Sequence, residues 1–473
     1  MMLLRLLFRE QQLWKLSVLG EFPVDSCSHP TSLPIATYSA LMDSARLVTA
    51  RLYHRFGFGP RPGEFVAALR AGNSATRTNL LTVPSFDNGA QRVAEPVLTD
   101  LGKRPEPNDP QQQIFGAQMR EQSRALTVWW LDRMALSDHA LTERMTWFWH
   151  GHWATAINKL NYALPMYMQN QTLRKHALGN FRDQSLAMIN DGALQIWLDG
   201  QENTLRAPNE NLGRELMELF ILGVNRYTET DVKEVARALT GYQVTRSNGT
   251  VTFNPRRYDP NPKTILGKTI AYDATSATNH LVDQAACQLF ISERLWYRFI
   301  SSQDPLPDQS SIQSAFSQRN ISAAVSALAD FEYLSETQYS LVKSPVEWFI
   351  SSCRALSITP SRLTNPNNLL NYLNKLSQVP FSPPNVGGWP TNEAWLSSAS
   401  AQFRFTFAQW FIKQGDISPI SNLARSQRVE AVADWLGIAE LSERTKVALQ
   451  GAEGDPRRLI LLALCSPEYI VSA

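Results

Sequence analysis

One stretch, Pro208–Val244, constrains the fold more than any other: PNENLGRELMELFILGVNRYTETDVKEVARALTGYQV. At about 100° per residue, Leu212, Leu216, Met217, Leu219 and Phe220 share one broad apolar arc. Glu210, Asn211, Arg214, Glu215 and Glu218 occupy the other side. That pattern is an amphipathic helix. A tight turn follows, and Thr228-Glu-Thr-Asp231 fits a capping box at the start of a second helix. Val232, Val235, Ala236 and Leu239 form its stripe, and Gly241 suits the position just past its end.

The rest of the chain repeats this kind of text. A helix from Ser44 stops at Gly-Phe-Gly-Pro, and a short one opens at Arg61-Pro-Gly-Glu64. Residues 74–110, rich in Asn, Pro, Thr and Asp, read as irregular surface. A long helix spans 111–136, with Ser137 as N-cap of the next, through TERMTWFWHGHW. Further helices are expected at 164–178, 183–190, 209–222, 230–239, 278–291, 293–300, 310–329, 343–356 and 367–376. The last four fall near 398–413, 426–436, 442–449 and 456–465. VTFNP and KTILGKTI carry β-branched residues and turn signals, so a small hairpin or irregular arm is expected near 250–270. The fold class is mainly α, a multi-helical globular protein.

With 473 residues the chain holds two to four domains' worth of material. Its 45 basic and 43 acidic residues leave a net charge of +2, which excludes a broad electrostatic footprint for nucleic acid. Cys27, Cys287, Cys353 and Cys465 form no CxxC pair and read as buried free thiols. MMLLRLLFREQQLWKLSVLG is broken by Arg5, Arg9, Glu10 and Lys15, so it is no clean signal peptide and fits an amphipathic helix equally well. No stretch reaches the roughly 20 apolar residues of a transmembrane span.

Four constellations could carry chemistry. Glu210, Arg214 and Glu218, at i, i+4 and i+8, line up along one helix face. Such a row can hold a divalent cation, position a hydroxyl, or pair within itself as any solvated face does. In Trp147-Phe-Trp-His-Gly-His-Trp153 the two histidines stand about 200° apart on a continuous helix and cannot share one metal there. They could do so only if Gly151 ended the helix; otherwise a buried, hydrogen-bonded histidine among aromatics is expected. Asp259 and Lys263, in RYDPNPK, can act on substrate or stabilise a turn. PNVGGWP with Trp395 can line a sugar-sized cleft or form a buried loop. No Walker loop, GxSxG elbow, HExxH or dinucleotide fingerprint occurs.

In order and text, several blocks resemble the bacterial family known as domain of unknown function 1800. They are LYHRFGFGPRPGE, RMTWFWHGHW, LRKHALGNFRD, the central stretch, KTILGK, LVKSPVEWFISSCRAL, PPNVGGWP and SPEYIVS. The resemblance implies one large helical domain over 46–473 after a weakly patterned extension, 1–45, broken by Pro23, Pro30 and Pro34. Family members are often exported and encoded beside a family that resembles sulfatases, which implies a role on an envelope or extracellular polymer. The family's polar signature falls on His150, His152, Asn209, Glu210, Arg214, Glu215, Glu218, Thr228, Asp231, Arg237, Asp259, Lys263, Asn385 and Trp389. Tyr258 departs from it, since the family carries a His-Asp pair there.

Two functional expectations follow. The first is a polar pocket with His150, Glu210, Arg214, Glu218, Asp259 and Lys263 as catalytic residues. A divalent metal would be held by His150, His152, Glu215 and Glu218. The second is a non-catalytic helical scaffold that partners a sulfatase-like envelope protein.

Overall fold

Helical periodicity, caps and proline stops dictate the architecture of the computed structural model, which describes residues 44–472. The expectations for the first 43 residues lie outside them. Near the start come α1 (Ser44–Arg55), α2 (Glu64–Ala71) and α3 (Asn73–Leu81). The third falls in text expected to be irregular. Its polar composition hides a helix that buries little beyond Thr76, whose hydroxyl donates to the carbonyls of Ala68 and Gly72.

The long α4 (Gln111–Leu136) and α5 (Leu141–His152) follow. Ser137 does not start α5 but closes α4, with its N–H donating to the Arg133 carbonyl at 2.9 Å. Then come α6 (Ala163–Lys175), α7 (Phe181–Ile189), α8 (Asn211–Glu215) and α9 (Glu229–Ala238). The expected arm is two antiparallel hairpins, β1 (Tyr242–Thr245) with β2 (Thr250–Phe253), and β3 (Lys263–Ile265) with β4 (Lys268–Ile270). In the second, Ile265 pairs with Lys268 across Leu266 and Gly267. Both turn residues have positive φ, as a two-residue primed turn requires.

Beyond the hairpins, α10 (Ala274–Asp283) and α11 (Ala285–Phe299) meet at Gln284 rather than near residue 292. No Gly or Pro marks that break. The stretch expected as one helix over 310–329 also divides, leaving α12 (Ile321–Leu328) after Arg319 at φ +58°. The Arg319 guanidinium explains this: it turns back to donate to the carbonyls of Val282, Asp283 and Gln284, capping the end of α10. The chain closes with β5 (Leu341–Val342), α13 (Pro345–Ala355), α14 (Pro366–Lys375), α15 (Ser398–Phe411), α16 (Arg428–Leu436), α17 (Glu443–Gln450), α18 (Pro456–Leu464) and β6 (Val471–Ser472), which pairs with β5. The fold is mainly α. No helix of the described residues is long and apolar enough to cross a membrane.

Buried side chains form two clusters. One gathers Trp130, Trp147, Trp348, Phe349, Phe381, Phe407 and Leu459. The other gathers Phe148, Trp149, Trp153, Phe181, Leu216, Phe220, Val235, Trp296 and Phe299. Helix α5 supplies both, so it is the wall between two cores. That explains why its sequence is aromatic on every side. Among the described cysteines, Cys287 and Cys353 are buried and Cys465 is half-buried, all as free thiols.

Candidate functional site

Helix α8 does not run on as regular α-helix. Leu216–Ile221 widens to a π-helical turn, with the Leu222 N–H donating to the Met217 carbonyl at 2.9 Å. Leu212, Leu216, Met217, Phe220 and Ile221 point inward and are buried. At Gly213 the helix meets α9 backbone to backbone: a Cβ there would lie 3.1 Å from the Ala236 nitrogen. This contact fixes the helix and leaves its polar face half-exposed.

On that face Arg214 is gripped by two carboxylates, but not by the expected pair. Its guanidinium donates to Glu210 at 2.9 Å and to both oxygens of Glu229 at 2.8 and 2.7 Å. Glu218 turns elsewhere and accepts from the Tyr227 hydroxyl at 2.6 Å. Glu215 has no hydrogen-bond partner among the described residues. Burial, and then the neighbouring charge of Glu218, raise its carboxyl to about 7 against the pull of Arg214. Burial and Glu218 also raise the Tyr227 phenol. The face therefore holds a carboxyl poised near neutrality beside a carboxylate–phenol pair. Such a group can give or take a proton at physiological pH.

Tyr227 escaped the reading of the sequence. It sits just before the Thr228 cap, where a ring packing toward Val232 is expected of any capped helix, so nothing marked its hydroxyl.

The histidines are placed differently. Helix α5 continues through Gly151, so His150 and His152 face opposite cores. His150 stands among Trp130, Trp147, Phe381 and Trp389, and its Nε2 accepts from the Phe381 N–H at 3.1 Å. His152 stands among Phe148, Trp149, Trp153 and Phe220, and its Nε2–H donates to the Phe220 carbonyl at 2.9 Å. Burial lowers both to about 3, so both rings are neutral. His152 thus satisfies an orphan carbonyl at the end of the π-helical turn. The expected ligand set of His150, His152, Glu215 and Glu218 is not assembled. Among the described residues no group of three or more His, Cys, Asp or Glu side chains is arranged to hold a metal ion.

Asp259 and Lys263 fasten the hairpins to α9. Asp259 accepts from Arg237 Nε at 2.7 Å, and Arg237 also pairs with Glu234 at 2.8 Å. Burial works to raise the Asp259 carboxyl, but Arg237, the Asn261 N–H and Lys263 together hold it below the usual range. Lys263 is buried and donates to the carbonyls of Asp259 and Asn261 at 2.6 and 2.8 Å. Thr228 and Asp231 complete the capping box, and Asp231 also accepts from the Leu266 N–H at 2.7 Å. Tyr258 donates its hydroxyl to the Tyr272 carbonyl at 3.1 Å. These are structural ties.

In the tryptophan loop, Asn385 accepts from the Gly387 N–H at 2.8 Å and Trp389 stacks on Trp147 at 5.0 Å. Trp389 and Trp395 are buried. The loop is a core element rather than a sugar platform.

Two cavities lie apart from all the expected site residues. One, of about 340 Å³, lies between α2, α3 and the start of α5, beside Glu64, Asp138, His139 and Arg354. The other is small and cationic, next to Lys343 and Glu347. Of their polar residues, His54, Arg55 and Glu64 stand in LYHRFGFGPRPGE and Lys343 and Glu347 in LVKSPVEW.

A family model described as "Protein of unknown function (DUF1800)" matches residues 51–471, nearly the whole chain. No curated protein and no solved structure matches it.

Proposed function

The chain belongs to the DUF1800 family, and we propose that its π-helical turn carries a general acid–base site, Glu215 and Glu218 with Tyr227, acting on an envelope or extracellular polymer. The observation that carries this is Glu215, a half-buried carboxyl without a hydrogen-bond partner among the described residues, raised to about 7 beside a second carboxylate. Glu218, held by Tyr227, stands beside it, and its charge adds to the burial that raises Glu215. Arg214, braced by Glu210 and Glu229, offers a fixed cation on the same face. The face is open and half-exposed, which suits a chain molecule better than an enclosed small ligand. The reading uses carboxylates and a phenol, because His150 and His152 are engaged with backbone in the two cores.

Hydrolysis of a panel of envelope polysaccharides by the full chain tests it. Turnover lost in Glu215→Gln and reduced in Tyr227→Phe, in variants that remain folded, is the expected result. Activity untouched by Glu215→Gln refutes the site.

A second reading has an observation of its own. Phe253 and Ile270, on the two hairpins, are 51% and 39% exposed. As a helical scaffold, the protein would dock a sulfatase-like envelope protein there. Co-purification lost in Phe253→Ser is the result that favours it.

A further inference from the structure

At the meeting of α1, α5, α11, β5 and α13, four cationic side chains, Arg55, Arg144, Arg298 and Lys343, face one small cavity whose lining holds a single carboxylate, Glu347. Glu347 is already committed. One oxygen takes Arg144 and the other accepts from the Ser344 N–H at 2.9 Å. Arg55 spends its guanidinium on the carbonyls of Ile300 and Tyr339, at 3.1 and 2.5 Å. Lys343 Nζ donates to the Tyr469 carbonyl at 2.5 Å and lies 3.9 Å from the centre of that ring. Arg298 has no hydrogen-bond or ion-pair partner among the described residues. Ser302 Oγ, on the same wall, is buried without one.

Buried cations in such excess over carboxylates are costly unless a counter-charge joins them. Burial accordingly presses Arg55, Arg298 and Lys343 below their ordinary values. The half-buried, unpaired Arg298 guanidinium and the buried, unsatisfied Ser302 hydroxyl both belong to the lining of this cavity. We propose that it binds a small monovalent anion, a halide or the head of a single carboxylate, held by Arg298 and Ser302 within the field of Arg55, Arg144 and Lys343. Size sets the class. The cavity offers about 20 Å³, against roughly 10–15 Å³ for one water on the same measure. A tetrahedral sulfate or phosphate is too large. The anion would lock α1 and α11, from one core, to α13, from the other, independently of the site on the π-helical turn.

The test is melting of the full chain in chloride-free buffer at constant ionic strength, with sodium bromide or sodium formate exchanged stepwise for sodium sulfate. A saturable rise of a few degrees is expected with bromide, formate or both. Bromide alone would identify a halide site, and formate alone a carboxylate site. The rise should vanish in Arg298→Gln and shrink in Ser302→Ala. If Arg298→Gln fails to fold, bromide-soaked wild-type crystals decide the matter through an anomalous peak beside the Arg298 guanidinium. Equal response to all three salts with no such peak, or saturable stabilisation by sulfate, overturns the proposal.

Discussion

His150 and His152, two residues apart on one helix, hydrogen-bond into two different cores: the first accepts from the Phe381 N–H at 3.1 Å, the second donates to the Phe220 carbonyl at 2.9 Å. Burial lowers both to about 3, with the charge of Arg294 adding to the effect at His152. A folded state holding its histidines neutral binds fewer protons than the unfolded chain, whose imidazoles titrate near 6.5. The stabilisation is complete above that value and is lost as pH falls from about 6.5 toward about 3. His152→Gln keeps a donor for Phe220 but cannot be charged. Urea titrations should show its deficit against wild type shrinking by roughly 2 kcal/mol between pH 7 and pH 5. A pH-independent deficit refutes a neutral, buried His152.

Gly388 is where the tryptophan loop presses on the wall between the cores. Its φ is +83°, and an added Cβ would sit 2.4 Å from the Gly151 carbonyl oxygen. That oxygen is backbone of α5 and cannot swing aside. Gly388→Ala should therefore cost about 2–4 kcal/mol and loosen Trp389 from Trp147, seen as a red shift in tryptophan emission. Gly151→Ala is the control. Nothing lies within 4 Å of its would-be Cβ, so it should be neutral or stabilising by up to about 1 kcal/mol. Equal losses from both changes would sink the contact.

Helix text was readable wherever local chemistry decides. The Thr228–Asp231 capping box and the apolar stripe after it belong to residues a few positions apart, and α9 forms as expected. The π-helical turn left no such mark. Its trigger is tertiary, a carbonyl at Phe220 met by His152 from another helix. The division before α12 is equally non-local, because the capped carbonyls of Arg319 lie more than thirty residues upstream. For the candidate site, spacing placed Glu210 beside Arg214, as found, but could not show Glu229 or Tyr227 as the other partners. Straight α-helical geometry put Arg214 between Glu210 and Glu218, whereas Glu229 from α9 reaches it first and Tyr227 takes Glu218.

That exchange of partners sets the size of the Arg214 effect. Arg214 itself is largely covered, but Glu229 is 72% exposed and Glu210 37%. Removing the guanidinium leaves two carboxylates that water can solvate, so no buried charge is stranded. Arg214→Ala should cost about 1 kcal/mol in low salt, and less in 0.5 M sodium chloride. A salt-independent loss of several kcal/mol would show that the row is a buried structural brace.

Glu215 is the group on which the proposed chemistry turns, and its sign is opposite to that of the histidines. Burial first, then Glu218, lift it from the ordinary 4.5 to about 7, so the folded state binds more protons than the unfolded chain. The stabilisation is complete below about 4.5 and is lost as pH rises through about 7. Glu215→Gln mimics the protonated form at every pH. It should nearly match wild type at pH 4.5 and exceed it by roughly 3 kcal/mol at pH 8. Carbon-13 titration of the side-chain carboxyl should show an inflection near 7 in wild type. In Glu218→Gln the inflection should fall but stay above 4.5, because burial, the larger cause, persists. An inflection near 4.5 in wild type removes the basis for acid–base work at this turn, whatever the protein is found to act on.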